Sequence, residues 1–381
     1  MNKVCYVDIH VIQTVPPSNL NRDDAGTPKQ ALYGGVRRAR VSSQAWKRAA
    51  RVAFAEEIPR DARGTRTKKI ASLFSSRLAE RTGLSTEAAD TLSEYVLSPL
   101  GIKPGKKSGD TAYLLFFGRQ QLDRLVDLVA DRAAELAQLD KAALEREVSS
   151  LPVQETLGTG HPLDVALFGR MVADIPALNV DAATQVAHAI STHPVEIEFD
   201  YFTAVDDENP RAETGAGMIG TVEFDSATLY RFATVGLHQL LENLDGDVDQ
   251  SMLALQLFLN AFVYSMPGGH QTTFAHRTLP HLVCVVVRDD QPVNLVSAFE
   301  SPVYSNSGMV VESMHRMAQE LQRCADLWGA TPVQTLATYA PCQNHDTDAL
   351  LRGAFGDSLA FSDVVERTAA CALDVISRGV A

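Results

Sequence analysis

The sequence predicts an α+β fold, and three observations carry the prediction. A β-branched strand opens the chain, and helix and strand signals then follow in the order β-α-β-β-α-β once insertions are set aside. A long polar helical stretch interrupts that order after the first helix. The order is that of ferredoxin-like domains, whose sheet many RNA-binding modules use. Fold class assigns no activity by itself; that rests on particular residues.

Val4 to Thr14 places Val7, Ile9 and Val11 on one face and Tyr6, Asp8, His10 and Ile12 on the other, the pattern of a strand. Pro16 to Gly35 is rich in Pro, Asn, Asp and Gly and reads as a long irregular loop suited to carry function. Ser42 or Ser43 then caps a helix running to about Glu57 and stopped near Pro59. From Arg60 to about Ser150 the pattern is helical and polar, an inserted lobe with starts at Ser85-Thr86-Glu87 and Thr111 and a break from Gly101 to Gly109. Ala182 to Ile190 reads as helical, and Val195 to Val205, Ile219 to Phe224 and Leu229 to Val235 as strands. The polar stretch Asp206 to Gly217 is a candidate protruding hairpin tip. Gln250 to Tyr264 is a helix, His281 to Arg288 a buried strand and Met309 to Trp328 a helix. No internal repeat or low-complexity tract is present.

A chain of 381 residues buries a core without staples. Its 5 cysteines are scattered, with no C-x-x-C pair and no zinc-ligand spacing, which fits a reduced protein without a structural metal. Met1 to Cys5 lacks the character of a signal peptide, and no apolar run nears the roughly 18 to 20 residues that span a bilayer, so a cytoplasmic protein without membrane contact is expected. The net charge of -13 argues on average against a polyanionic ligand. The average hides an asymmetry: residues 1–70 carry about 14 Lys and Arg against about 6 Asp and Glu.

That basic excess has a centre in R-R-A-R-V-S-S-Q-A-W-K-R-A-A-R, Arg37 to Arg51. On a helical wheel Gln44, Lys47, Arg48 and Arg51 share a sector of about 100°, opposite Trp46, Ala49, Ala50, Ala53 and Phe54. One face packs and the other is cationic. The helix start, with Ser42 and free backbone N–H groups, favours an anion, and Arg37, Arg38 and Arg40 add to the same patch. Guanidinium groups so placed grip phosphate oxygens without reading bases. A solvated amphipathic helix is the competing reading.

The preceding segment sharpens the picture. L-N-R-D-D at Leu20 to Asp24, Lys29 and Y-G-G at Tyr33 to Gly35, followed by G-G-V-R-R-A-R-V-S-S-Q-A-W-K-R-A, resemble the start of the crRNA-binding backbone subunit (CasC type, RAMP superfamily) of the type I-E CRISPR Cascade complex. H-A-I-S-T-H-P-V-E-I-E-F-D-Y-F-T-A-V-D-D at His188 to Asp207 is similar to a second block of that family, as are A-L-F-G-R-M, G-T-V-E-F and L-Y-R-F-A at residues 166–171, 220–224 and 229–233. The likeness spans residues 3 to about 300; beyond Ser301 nothing family-specific is legible.

The resemblance implies a ferredoxin-like (RRM-like) palm, an inserted helical fingers lobe and a protruding thumb β-hairpin. In those terms 1–59 is the first part of the palm, 60–180 the fingers, 181–300 the rest of the palm with the thumb at about 192–222, and 301–381 a mainly helical segment packing on the palm. It implies a subunit that polymerises head-to-tail on CRISPR guide RNA, beside other Cascade subunits, leaving bases to pair with a target DNA strand. Carried over by position, Arg22, Lys29, Ser42, Gln44 and Lys47 fall near the guide backbone, and Met171, Phe202 and Thr203 beside displaced bases. Tyr201 departs from the expected Trp but keeps a planar ring. Phe202 stacks on a base of any identity, each stack being worth roughly 1 to 3 kcal/mol. Whichever of Tyr201 and Phe202 faces inward on an alternating strand is expected to pack in the core.

Other motifs fail their context. Gly215 to Gly220 matches G-x-G-x-x-G but precedes a strand, whereas a dinucleotide fingerprint opens a helix, so no nicotinamide cofactor is expected. Gly101 to Ser108 misses P-loop spacing. Gly268 and Gly269, in Pro267 to Gln271, form either an RNA-side turn or a plain loop. His188 and His193 read as caps or core rather than metal ligands; His270, His276 and His281 flank a loop within possible reach of RNA. The rival function is an RNA-cleaving backbone subunit using Asp23 and Asp24 beside Arg22. The competing reading of those carboxylates is loop-ordering through neighbouring Arg, and with it no catalysis. A stand-alone metabolic enzyme finds no supporting nucleophile, base or cofactor spacing.

Overall fold

The computed structural model describes residues 4–101, 110–111, 114–172, 175–204 and 218–378. The chain forms two compact units, one of residues 1–53, 185–234 and 258–381, the other of residues 54–184 and 235–257. The strands are β1 (Tyr6–Ser18), β2 (Gln30–Tyr33), β3 (Val36–Val41), β4 (Gly64–Thr67), β5 (Leu115–Gly118), β6 (Thr184–Val186), β7 (Ala189–Ser191), β8 (Glu198–Ala204), β9 (Met218–Gly236), β10 (Leu282–Arg288) and β11 (Gln334–Tyr339). All but β4 and β5 belong to one central sheet of order β11-β10-β1-β9-β7-β3-β2, with β6 and β8 paired to β9 off that path.

β1 is central because both of its faces are covered. It runs antiparallel to β10 with Tyr6 opposite Arg288, and everything from Val7 to Gln13 is buried. The polar residues of its second face have partners inside the sheet layer. Asp8 Oδ2 accepts from Arg288 Nε at 3.0 Å and from the Val293 amide at 2.8 Å, while burial raises its pKa to about 6. His10 Nδ1 lies 2.9 Å from the Tyr230 hydroxyl, and burial lowers the imidazole to about 3. Ile12, Tyr230, Leu282 and Cys284 form one core with Met314, Met317 and Leu321 of the helix Val310–Trp328. A second core joins Val15, Ala39, Val41, Ala189 and Leu229 to Trp46 of helix α1 (Ser43–Glu57).

The unit of residues 54–184 and 235–257 pairs β4 with β5 and is, among its described residues, mainly helical, around Phe74, Leu92, Val96, Phe117, Leu122 and Leu125. Its helix Thr86–Leu97 starts where expected, capped by Ser85, whose side chain accepts from the Ala88 amide. No helix begins at Thr111, whose hydroxyl and amide both bond the Lys68 carbonyl; the next helix is Arg119–Asp127.

Several sequence expectations are corrected. Ala182 to Ile190 is not helical: it forms β6 and β7, because Ile190 pairs with both Arg40 and Tyr230 and the sheet overrides local helix preference. Pro16 to Gly35 is less irregular than expected. β1 continues to Ser18, and Gly34 and Gly35, at φ 59° and 77°, make the two-residue turn of the β2–β3 hairpin. The two strands expected within 219–235 are one continuous β9. The helical stretch beyond Ser301 also contributes β11, an edge of the sheet. The stretch Asp206 to Gly217, expected as a hairpin tip, lies outside the described residues, as do most of Gly101 to Gly109 and the first glycines of the G-x-G-x-x-G match.

Candidate nucleic-acid interface

The loop between β1 and β2 is a built element. Asp23 Oδ1 accepts from the amides of Ala25 at 2.9 Å and Thr27 at 3.1 Å, an arrangement that rounds the loop through its own backbone rather than through an Arg. Buried Asn19 donates to the carbonyls of Gly26 at 2.8 Å and Glu223 at 3.0 Å, and Asn21 Oδ1 accepts the Ser42 amide at 2.9 Å. The loop is thus fixed to β9 on one side and to the start of α1 on the other.

Ser42 is buried and its hydroxyl caps α1 by accepting the Ala45 amide at 3.3 Å. The Ser43 amide, one of the free donors expected at that helix start, is taken by His188 Nδ1 at 3.0 Å. Along α1, Trp46, Ala50 and Phe54 are buried, Gln44 and Arg48 exposed, and Lys47 and Arg51 intermediate. Burial pulls the Lys47 ammonium below its ordinary range. Trp46 is held from beneath by Arg231, whose guanidinium carbon sits 3.8 Å from the indole centre and 4.7 Å from the Phe262 ring. Arg231 is fully buried, donates to Gln13 and the Phe262 carbonyl, and is drawn down to about 9 by desolvation.

Arg22 and Arg37 are exposed, Lys29 and Arg40 partly buried. Among the described residues every ion pair lies outside the stretch from Arg22 to Arg48. Arg38 is a correction. Its Nε donates to the Tyr33 carbonyl at 3.2 Å, Nη1 to Ser191 at 2.9 Å and Nη2 to Phe299 at 2.8 Å, with no exposed surface. It ties the hairpin to β7 and the Phe299 segment and has no free fork to offer a phosphate. Arg38 and Arg40 also alternate with Ala39 and Val41, which pack with Trp46, so those two arginines occupy the opposite face of β3 from α1.

The β8–β9 ribbon carries the aromatic residues. Tyr201 pairs with Thr221, Phe202 with Gly220 and Thr203 with Ile219. Tyr201 is 74% and Phe202 43% exposed, so neither packs in the core, against the expectation that one would. Phe199, two residues before Tyr201 on the same face, is 62% exposed and was missed; the alternation of E-F-D-Y-F was its signal. Met171 is 85% exposed and belongs to the other unit. Asp225, toward the middle of β9, lines a small cavity with Lys29 and Arg40, and burial pushes its carboxyl up to about 6.

The Pro267 to Gln271 turn docks against the β1–β2 loop. A β-carbon on Gly269 would lie 2.4 Å from the Leu20 carbonyl oxygen and 2.6 Å from that of Asn19, so this glycine permits contact with the chain's own backbone; at Gly268 only Gln271 comes near. His193 Nε2 accepts the Thr228 amide at 3.0 Å, and buried His276 lies 3.1 Å from the Pro267 carbonyl. A cleft of about 620 Å³ opens between Asp23, Thr27, Gln30, Arg37 and Val195 to Ile197. Among the described residues no group of three or more His, Cys, Asp or Glu is placed to hold a metal, and no helix is long and apolar enough to cross a membrane.

A mixed α+β sheet protein bearing a cationic loop and helix and an exposed aromatic ribbon is the class that fold and surface define. Residues 7–366 match the family described as CT1975-like protein, and the chain belongs to that Cas family. It is similar, at 32% identity and a TM-score of 0.82, to a chain described as "CRISPR RNA-guided surveillance complex, pre-nicking", with 96% of this chain and 100% of that chain covered. A chain described as "CRISPR RNA-guided surveillance complex" is 29% identical with a TM-score of 0.72, covering 96% and 99%. No curated protein matches significantly.

Proposed function

We propose that the protein is a non-catalytic backbone subunit of a type I-E Cascade, whose copies line up head-to-tail along CRISPR guide RNA and leave its bases free for a target DNA strand. The observation that carries this reading is the stretch from Arg22 to Arg48, where Arg22, Arg37 and Arg48 are exposed and no side chain is neutralised by a carboxylate among the described residues. Uncompensated cations on a pinned loop and a rigid helix suit a sugar–phosphate chain, and hold it independently of sequence. The likeness to chains of RNA-guided surveillance complexes supports the same ligand and the presence of companion subunits. Tyr201 and Phe202 supply exposed π faces for bases.

The palm is ferredoxin-like in this reading, supported by the order β10-β1-β9-β7 with α1 after β1 and the helix Val248–Tyr264 between β9 and β10. Asp23 is read as a loop-ordering residue rather than a catalytic one, its Oδ1 accepting from two loop amides. The protein works in the cytoplasm, without a cofactor.

The test is expression of the full chain in cells carrying a CRISPR array. Co-purification with short RNAs of uniform length, in assemblies of several copies, is the expected result. A monomer free of RNA, and indifferent to single-stranded RNA at low salt with its companions present, defeats the reading; so does cleavage of complementary RNA abolished by Asp23→Ala.

A further inference from the structure

Arg22 Nη1 lies 2.5 Å from His270 Nε2, across the seam where the Pro267 to Gln271 turn meets the β1–β2 loop. A guanidinium only donates, so Nε2 accepts and the ring proton sits on Nδ1. Asp23 is turned to the loop, its Oδ1 accepting from two loop amides, and no carboxylate bonds Arg22 among the described residues. The imidazole is itself fixed. His270 stands at φ 48°, beside the glycine that packs on the Leu20 and Asn19 carbonyls, and its ring meets Phe274 edge-on with centroids 6.2 Å apart. Phe274 in turn contacts Phe224 of β9 at 5.9 Å.

A left-handed backbone at a residue other than glycine is held only where its surroundings over-determine it. Here the surroundings aim one acceptor at one cation without cancelling its charge. A carboxylate would aim Arg22 equally well but neutralise it; a neutral ring nitrogen leaves the full charge and the remaining N–H donors for an anion.

We propose that His270 is the positioning residue for Arg22, orienting its guanidinium as a clamp on a guide-RNA phosphate. The proposal rests on the RNA-binding reading above and adds to it a residue outside the cationic stretch. His270→Asn suits the test because Asn also tolerates positive φ while its shorter side chain withdraws the acceptor.

Full-length protein is titrated with a fluorescent single-stranded RNA of arbitrary sequence over a range of salt, using wild type, Arg22→Ala, His270→Asn and the double variant, each checked for an unchanged unfolding midpoint. Arg22→Ala is expected to weaken binding about tenfold and His270→Asn about threefold, with both reducing the salt slope and the double variant matching Arg22→Ala alone. A merely structural role for His270 would not move the slope in step with Arg22. If His270→Asn changes nothing while Arg22→Ala does, or if the two losses multiply, the positioning role is wrong and the RNA reading stands. If wild type does not bind, both fall.

Discussion

The far end of the Phe202 ring covers Gly220, its partner across the β8–β9 ribbon: a β-carbon at Gly220 would stand 2.1 Å from Phe202 Cζ. The glycine is what lets this aromatic ring rest against the partner strand while the residue stays 43% exposed. Gly220→Ala is therefore expected to lift the ring off the ribbon and weaken binding of single-stranded RNA about fivefold, the scale of roughly one lost stack. Fluorescence anisotropy of the variant and of Phe202→Ala checks this; equal affinity for Gly220→Ala and wild type, with Phe202→Ala impaired, would count against it.

Arg38 and Arg48 are expected to separate stability from binding. Arg38→Ala removes a fully buried guanidinium that donates to the carbonyls of Tyr33, Ser191 and Phe299, and should cost about 2–4 kcal/mol of unfolding free energy. Arg48→Ala, on the exposed side of α1, should stay within about 0.5 kcal/mol in stability while lowering the salt slope of RNA binding by about 1. Urea denaturation and salt-dependent titration of both variants measure the two effects independently.

Arg231 supports the cationic helix from below. Arg231→Ala removes a buried guanidinium from between Trp46 and Phe262 and is expected to destabilise the protein by about 3–5 kcal/mol, a loss read by chemical denaturation with the buried Trp46 as fluorescence probe. Arg231→Lys, lacking the planar fork, should recover less than half of that loss.

Asp225 gives a pH signature. Burial raises its folded pKa to about 6 against the ordinary 3.8, so the folded state holds the proton more tightly. Its favourable contribution is complete below about pH 3.8 and lost as pH rises through 6. Asp225→Asn should therefore stabilise the protein by about 1–3 kcal/mol at pH 8 and by little at pH 4. A constant difference at both pH values in urea melts would exclude this account. His10 works in the reverse sense: lowered to about 3, it contributes stability above pH 6.5 that fades as pH falls, so the comparison is made between variants at each pH rather than along one curve.

Much was legible from residues alone where a local rule applied. A hydroxyl cap at Ser42 or Ser43, which the structure resolves to Ser42, the two-sided character of α1, the buried strand before Arg288 and the start of the helix at Thr86 follow from hydroxyl caps and from spacing of apolar residues. The β2–β3 hairpin was announced by Gly34-Gly35, a signal read as loop because the strands beside it are short and carry Arg and Gln in place of an alternating apolar face.

What the sequence by itself determined is the content of the cationic segment, the two-sided helix at its end, and the family to which the chain belongs; that Arg37, Arg38 and Arg40 lie on a strand came from the structure. What tertiary structure decided is which of those cations remain available. Arg37, Arg38 and Arg40 are indistinguishable as letters, yet Arg38 is consumed by four carbonyls from segments as distant as Phe299 and Glu300, and Arg22 meets a histidine 248 positions away. Helix caps act within one turn of backbone and leave a local trace; burial and pairing depend on which strands the sheet places side by side, and that order is set by the whole fold.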